Sequence, residues 1–162
     1  MSITRLKNVP LLSQPSTGVC WFKSAQMVYA WSKATGKGSM KDPMSVADFK
    51  WRYETNRDWW SGQNGMLATA FGMKTHSKVD MSLSGLNSFL PTHGPIWTGL
   101  RKNWGGHSHG HVVVIFGVAD TGVLINDPEP MHRGTEMWLT WEQINKAIAG
   151  ITDADYQFLT AA

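Results

Sequence analysis

The segment HVVVIFGV, residues 111–118, constrains the fold more than any other part of the sequence. It is an almost unbroken apolar run rich in β-branched residues, which is typical of a buried strand. An Asp-Thr-Gly turn follows, and then a second apolar run, VLIND, at residues 123–127. Two such runs joined by a short turn predict an antiparallel β-hairpin.

Weaker strand signals extend this hairpin into a sheet. Residues 95–100, 135–139 and 156–160 are each expected to add a strand. Between the last two, Thr140 and Gln143 form the pattern of a capping box, which predicts a short helix ending at Ala149. The second half of the chain is therefore expected to be mainly an antiparallel sheet.

The first half of the chain carries helical signals instead. Over residues 20–33 apolar side chains recur at helical spacing, and Gly36 then gives a stop signal. Three further helices are expected in this half, one from a cap at Ser45 and Asp48 to about residue 56, and two at residues 65–71 and 84–90, the latter ending at Pro91. Helices followed by an antiparallel sheet predict an α+β fold, in a single domain over residues 1–162.

Composition and charge exclude several classes of function. Hydrophobic residues make up 42% and charged residues 17%, the balance of an ordinary globular chain. The net charge is only +3 and the basic residues are scattered, so no nucleic-acid partner is expected. No segment has the length of a signal peptide's apolar core or of a membrane span. The chain is expected to be made in the cytoplasm and to need no cofactor.

Cys20 is the only cysteine, so it cannot form an internal disulfide. It follows the turn-forming stretch QPSTGV and opens the first predicted helix. Unpaired backbone N–H groups and the helix dipole at such a position favour a thiolate, the form of cysteine that attacks carbonyl carbons. A lone cysteine is more often a small buried residue. The helix-start position, together with the nearby Gln14 and Trp21, favours a nucleophile instead.

His111 stands at the start of the hairpin's first strand, which could aim its imidazole across a cleft at Cys20. A nucleophilic thiol needs an imidazole that takes and returns a proton, and the imidazole needs a third group to orient it. The second strand of the hairpin ends in Asn126 and Asp127, close to the His111 end. Neighbouring residues of a strand point to opposite faces, so only one of these two can face His111.

Together, NVPLLSQPSTGVCW, GHVVVIFGV and LINDP resemble the active-site segments of papain-superfamily cysteine peptidases. The similarity is to a compact bacterial branch, which includes bacteriocin-processing peptidases and papain-like effector proteases of plant pathogens. It implies a papain-like fold, in which a helical part with the cysteine helix packs on the C-terminal sheet. It implies that Cys20 is the nucleophile, His111 the general base and acid, and Asp127 the orienting group, with Asn126 as the alternative. Gln14 and the Cys20 N–H would form the oxyanion hole, and the implied activity is hydrolysis of peptide bonds through a thioester acyl-enzyme.

Two other functions remain open from the sequence. A thioester at Cys20 also serves glutamine deamidation and transglutamination, and the motifs do not separate these from hydrolysis. His107, His109 and His111 alternate at period two and would share one face of an extended strand, as the ligands of a non-enzymatic zinc-binding module could. Because the glycines within residues 105–110 indicate a loop there, we expect no metal at these histidines.

Further expectations concern substrates and biology. Trp21, Trp104 and His109 are candidates for contacts with a protein or peptide substrate. The resemblance to effector proteases implies a toxin used in bacterial antagonism or pathogenesis. Such a domain would enter another cell by a signal-independent route or as part of a larger protein. A separate immunity protein that covers the cleft would then restrain it.

Overall fold

The computed structural model describes residues 3–106 and 108–162. These residues form five α-helices and a sheet of seven strands, so the predicted α+β class is confirmed. In chain order the elements are β1 (Thr4–Arg5), α1 (Cys20–Thr35), α2 (Ala47–Glu54), α3 (Asn64–Phe71), β2 (Lys74–His76), α4 (Leu83–His93), β3 (Ile96–Lys102), β4 (His109–Ala119), β5 (Gly122–Asp127), β6 (Thr135–Thr140), α5 (Trp141–Ala149) and β7 (Phe158–Thr160). None of these helices is both long and apolar enough to cross a membrane.

The sheet is antiparallel and is organised around the predicted hairpin. Its strand order is β2-β7-β3-β4-β5-β6, and β1 pairs with the far end of β4. The hairpin consists of β4 and β5, which close on the pair Ala119 and Gly122. With β3 on one side and β5 on the other, β4 lies inside the sheet, which fixes the position of the residues at its start.

Both faces of β4 are buried, which explains its unbroken apolar sequence. Val112 and Val114 belong to a core shared with α1, whereas Val113 and Ile115 belong to a second core shared with α4 and α5. A strand covered on both faces needs apolar side chains at every position. The predicted packing of the cysteine helix on the sheet is therefore confirmed, and it sets the start of α1 beside the start of β4.

The structure corrects two helix boundaries. Ser45 does not cap α2, because its hydroxyl donates to the backbone oxygen of Asp42 at 2.6 Å and Val46 takes the N-cap position. The helix expected to end at Pro91 continues through it to His93. A proline inside a helix loses its own N–H bond and crowds the carbonyl four residues earlier, but here only two residues of α4 follow it. The capping box of α5 is confirmed in both of its hydrogen bonds.

The loop expected before His111 is shorter than the glycines indicate. β4 begins at His109, which pairs with Lys102 of β3, so His109 and His111 belong to one strand. Their rings lie 5.3 Å apart. The glycines at 105–106 do form the connecting loop, with φ angles of 74° and 86° that suit glycine. His107, named in the zinc hypothesis, lies outside the described residues.

Candidate active site

Cys20 is the first residue of α1 and is half-buried, so its thiol can be reached from a cavity of about 580 Å³ that it lines with His111. Among the described residues no side chain caps this helix, and no acidic residue lies in its first turn. The backbone N–H of a first helical residue has no partner within the helix. This end of α1 can therefore stabilise negative charge on the thiol and on an oxygen bound beside it.

His111 and Asp127 form a buried pair at the edge of this cavity. The Nε2 atom of His111 lies 2.6 Å from Oδ1 of Asp127, and both side chains are almost fully excluded from solvent. Because Nε2 is engaged by the carboxylate, Nδ1 is the ring nitrogen left to exchange a proton with Cys20. This is the relation between imidazole and orienting group that nucleophilic catalysis requires.

The pKa values of this pair keep both members charged at neutral pH. Burial lowers the pKa of His111, but the negative charge of Cys20 and the hydrogen bond to Asp127 outweigh it and raise the pKa to about 10. Burial raises the pKa of the Asp127 carboxyl, but the bond to His111, its positive charge and donation by Lys102 lower it to about 2. The site therefore holds an imidazolium that pairs with a carboxylate.

Asp127 is held by four donors, two on each oxygen. Besides His111, the backbone N–H of Glu129 donates to Oδ1 at 2.9 Å. The ammonium of Lys102 and the indole N–H of Trp104 donate to Oδ2 at 2.8 and 3.0 Å. Trp104, expected to contact substrate, thus contacts the Asp127 carboxylate and is not among the described residues that line the cavity.

A second carboxylate joins this charge cluster. Oε1 of Glu129 lies 2.9 Å from His109 Nε2, 3.2 Å from His111 Nε2 and 3.2 Å from Lys102 Nζ. Sequence reasoning missed Lys102 and Glu129. Their positions gave a signal, since Lys102 ends the strand that pairs with the strand of His111, and Glu129 lies two residues after Asp127. The sequence does not show, however, that their side chains are buried together.

The cluster of His109, His111 and Glu129 could in principle hold a metal, since their ligand atoms lie within 4.8 Å of one another. The ammonium of Lys102, at 3.2 Å from Glu129, already supplies a cation to the shared carboxylate. His111 is also committed to Asp127. The donor set therefore fits an ion-pair network better than the proposed zinc module.

Gln14 is fully buried next to the turn that leads into α1. Its Nε2 donates to the backbone oxygens of Ser16 and Thr17 at 2.9 and 3.1 Å, and its Oε1 is buried without a partner among the described residues. Both amide hydrogens are thus engaged by these two carbonyl oxygens. An oxyanion that accepts from Gln14 has to replace one of these carbonyls.

Asn126, the alternative orienting group, points away from His111. Its Nδ2 donates to the backbone oxygens of Val9 and Pro10 at 3.4 and 3.2 Å, so it ties the N-terminal segment to β5. Trp21, another candidate for substrate contact, is only 1% exposed and donates to the carbonyl oxygens of Gly18 and Arg57. It lines the cavity from within the core.

An α+β fold with a thiol at a helix start, beside a histidine on the central strand, is the arrangement of papain-like cysteine peptidases. Residues 3–145 match the family described as the papain-like cysteine protease AvrRpt2, and the chain belongs to that family. The enzyme is therefore a papain-like cysteine peptidase, a hydrolase that acts on proteins, and the resemblance seen in the sequence is confirmed. A comparison with curated proteins finds no match.

Proposed function

We propose that the enzyme hydrolyses peptide bonds with Cys20 as nucleophile, His111 as general base and acid, and Asp127 as the group that orients the imidazole. The observation that carries this proposal is the buried 2.6 Å contact between His111 and Asp127, at the edge of the cavity that Cys20 lines. An imidazole fixed in this way keeps one nitrogen directed to the thiol.

In the acylation step the Cys20 thiolate attacks the carbonyl carbon of the scissile peptide bond, and a C–S bond forms while the carbonyl oxygen becomes an oxyanion. When the intermediate collapses, the C–N bond breaks and the imidazolium of His111 gives its proton to the leaving amine. The products of this step are the free amine and a thioester at Cys20.

In the deacylation step water attacks the thioester, and His111, now neutral, takes the proton that the water loses. The C–S bond then breaks, which releases a carboxylic acid and restores the thiolate and imidazolium. In both steps Asp127 stabilises the imidazolium form of His111 and holds the ring in place.

The oxyanion of both steps would accept from the backbone N–H of Cys20 and from Gln14. We expect Gln14→Ala to lower kcat by about 10²–10³-fold, the usual cost of losing one oxyanion donor. The melting temperature and kcat of the variant are measured together. Unchanged turnover, or loss of folding before loss of turnover, would assign Gln14 to holding the turn alone.

Protein cleavage is tested by incubating a cell lysate with the wild-type enzyme and with Cys20→Ala, followed by mass spectrometry of new protein termini. New termini are expected with the wild type only. An equal set of termini with Cys20→Ala would exclude Cys20 as the nucleophile. Modified glutamine side chains without cut chains would instead support deamidation or transfer.

The same proposal extends to delivery into another cell as a toxin or effector, with an inhibitory immunity protein covering the cleft. Its support is the similarity of the segments around Cys20, His111 and Asp127 to papain-like effector proteases. Expression of the wild type and of Cys20→Ala inside recipient cells tests it. Growth arrest or cell death that requires Cys20 is expected, and equal growth would contradict it.

A further inference from the structure

The cavity beside Cys20 has a composition that the catalytic residues do not explain. Its walls include the indoles of Trp59 and Trp60. Apart from Cys20 and the histidines, its ionisable residues are two acidic side chains, Asp58 and Asp153. No lysine or arginine lines it among the described residues, although the chain has 15 of these against 12 acidic residues. The cleft is thus acidic in a mildly basic protein.

Asp58 lies against the backbone just ahead of the nucleophile. A methyl group added to Gly18, two residues before Cys20, would collide with Oδ1 of Asp58. Asp58 forms no ion pair with any described residue. Its exposed carboxylate therefore remains available to a group that enters the cavity near the thiol.

Asp153 is fixed in position on the same cavity. Its Oδ1 accepts from the hydroxyl of Ser61 at 2.7 Å, and its Oδ2 accepts from the indole N–H of Trp60 at 3.3 Å. These bonds, that of Ser61 first, lower the pKa of Asp153, so the carboxylate is ionised at neutral pH. It also remains exposed, which leaves lone pairs free for a further donor.

We propose that this cleft selects peptide substrates that carry a lysine or arginine side chain close to the scissile bond. The aliphatic stem would lie against Trp59 and Trp60, and the charged end would reach Asp58 or Asp153. Indole faces attract cations as well as apolar stems, so the same walls serve both parts of the side chain. The catalytic imidazolium does not oppose this, since Asp127 and Glu129 balance its charge.

This inference rests on the proposed function, and two experiments separate their outcomes. Cleavage sites are first mapped in a proteome-derived peptide library, and a cleaved peptide is then synthesised with arginine or its neutral isostere citrulline near the cut. We expect the arginine peptide to have a kcat/KM roughly 5–30-fold higher. Asp58→Asn and Asp153→Asn should each reduce this ratio about 2–5-fold, the effect of an exposed ion pair.

The matched control is Asp120→Asn, which makes the same charge change in the β4–β5 turn, far along the strand from His111. It should leave the ratio unchanged. Raising the salt concentration should reduce the ratio in the wild type, because exposed charges are screened. A ratio near one in the wild type, or a ratio that Asp58→Asn and Asp153→Asn together leave intact, would overturn the inference.

Binding to the inactive variant distinguishes this failure from a failure of the proposed function. The arginine and citrulline peptides are titrated into Cys20→Ala, with the indole N–H signals of Trp59 and Trp60 observed by NMR. Tighter binding of the arginine peptide without any cleavage by the wild type would support the selectivity for basic side chains and contradict the peptidase mechanism. Cleavage of both peptides at equal rates would support the peptidase mechanism and contradict the selectivity.

Discussion

Replacing Asp127 with alanine is expected to lower kcat by about 10²–10⁴-fold, because His111, the acid–base group, would lose its orienting partner. The variant should also lose roughly 3 kcal/mol of unfolding free energy, because two buried cations, on Lys102 and His111, lose their shared carboxylate. Glu129 still contacts both, which keeps the cost at the lower end of the range for a broken buried pair. Turnover and urea unfolding of the same preparation measure the two effects.

Two further variants separate orientation from charge and from folding. Asp127→Asn retains an oxygen that can accept from His111, so it should keep more activity than Asp127→Ala. Asn126→Ala should lose about 1–3 kcal/mol of stability, since two backbone carbonyls lose their donor, with turnover nearly intact. Near-normal turnover in Asp127→Ala, together with a folded but inactive Asn126→Ala, would reverse the assignment.

Lys102→Met should destabilise the enzyme by roughly 3 kcal/mol at pH 7, although Lys102 touches neither the thiol nor the cavity. Its ammonium is buried and neutralises the second of two adjacent carboxylates. Methionine fills a similar volume but leaves two negative charges against His111. We therefore assign Lys102 to positioning Asp127 and Glu129, and expect turnover to fall with stability.

The acid side of the stability profile gives Lys102 a distinctive signature. The folded-state pKa of Asp127 is about 2, below its ordinary 3.8, so its contribution is complete above about pH 4 and is lost as the pH falls through 2. Without Lys102 this pKa rises towards 3.8, so the contribution of Asp127 becomes smaller and its loss is complete at a higher pH. Urea unfolding between pH 2 and 7 measures the shift.

Lys102→Arg keeps the charge and should restore part of the difference. Lys50→Met is the matched control, because Lys50 pairs with Glu54 at 3.9 Å on the exposed surface. That change should cost less than about 1 kcal/mol. If Lys102→Met behaves like Lys50→Met, with the same stability and acid profile as the wild type, the positioning role is wrong.

The hairpin and the helices were predictable because their signals are local. The β-branched run at residues 111–118, the capping box at Thr140 and the glycine stop after α1 each act within a few residues. The strands β1 and β2 carry no such signal, because two or three residues become strand only when a partner strand lies beside them. Likewise, the glycines near His109 predict a loop, whereas His109 lies in a strand because it pairs with Lys102.

In the candidate site, too, some residues are indicated by local sequence signals and others only by tertiary contacts. Cys20, His111 and Asp127 could be proposed from the sequence because each has a position that the chemistry would require: a helix start, a strand start and the end of the paired strand. Lys102 and Glu129 could not, because their part depends on burial and on a registry between three strands. The bond from Trp104 to Asp127 was equally hidden, since a tryptophan in a loop does not reveal that its N–H reaches a carboxylate.

The most direct test of the account is covalent labelling of Cys20 by a peptide vinyl sulfone, followed by intact mass spectrometry. The electrophile is attacked by the thiolate, and its peptide part favours a thiolate that lies in a substrate-binding site. We expect one adduct per chain, located at Cys20, with a rate that falls at least 10²-fold in a folded His111→Ala variant. Equal labelling rates in the wild type, in His111→Ala and in the urea-unfolded chain would contradict the account, because Cys20 would then react as an ordinary thiol.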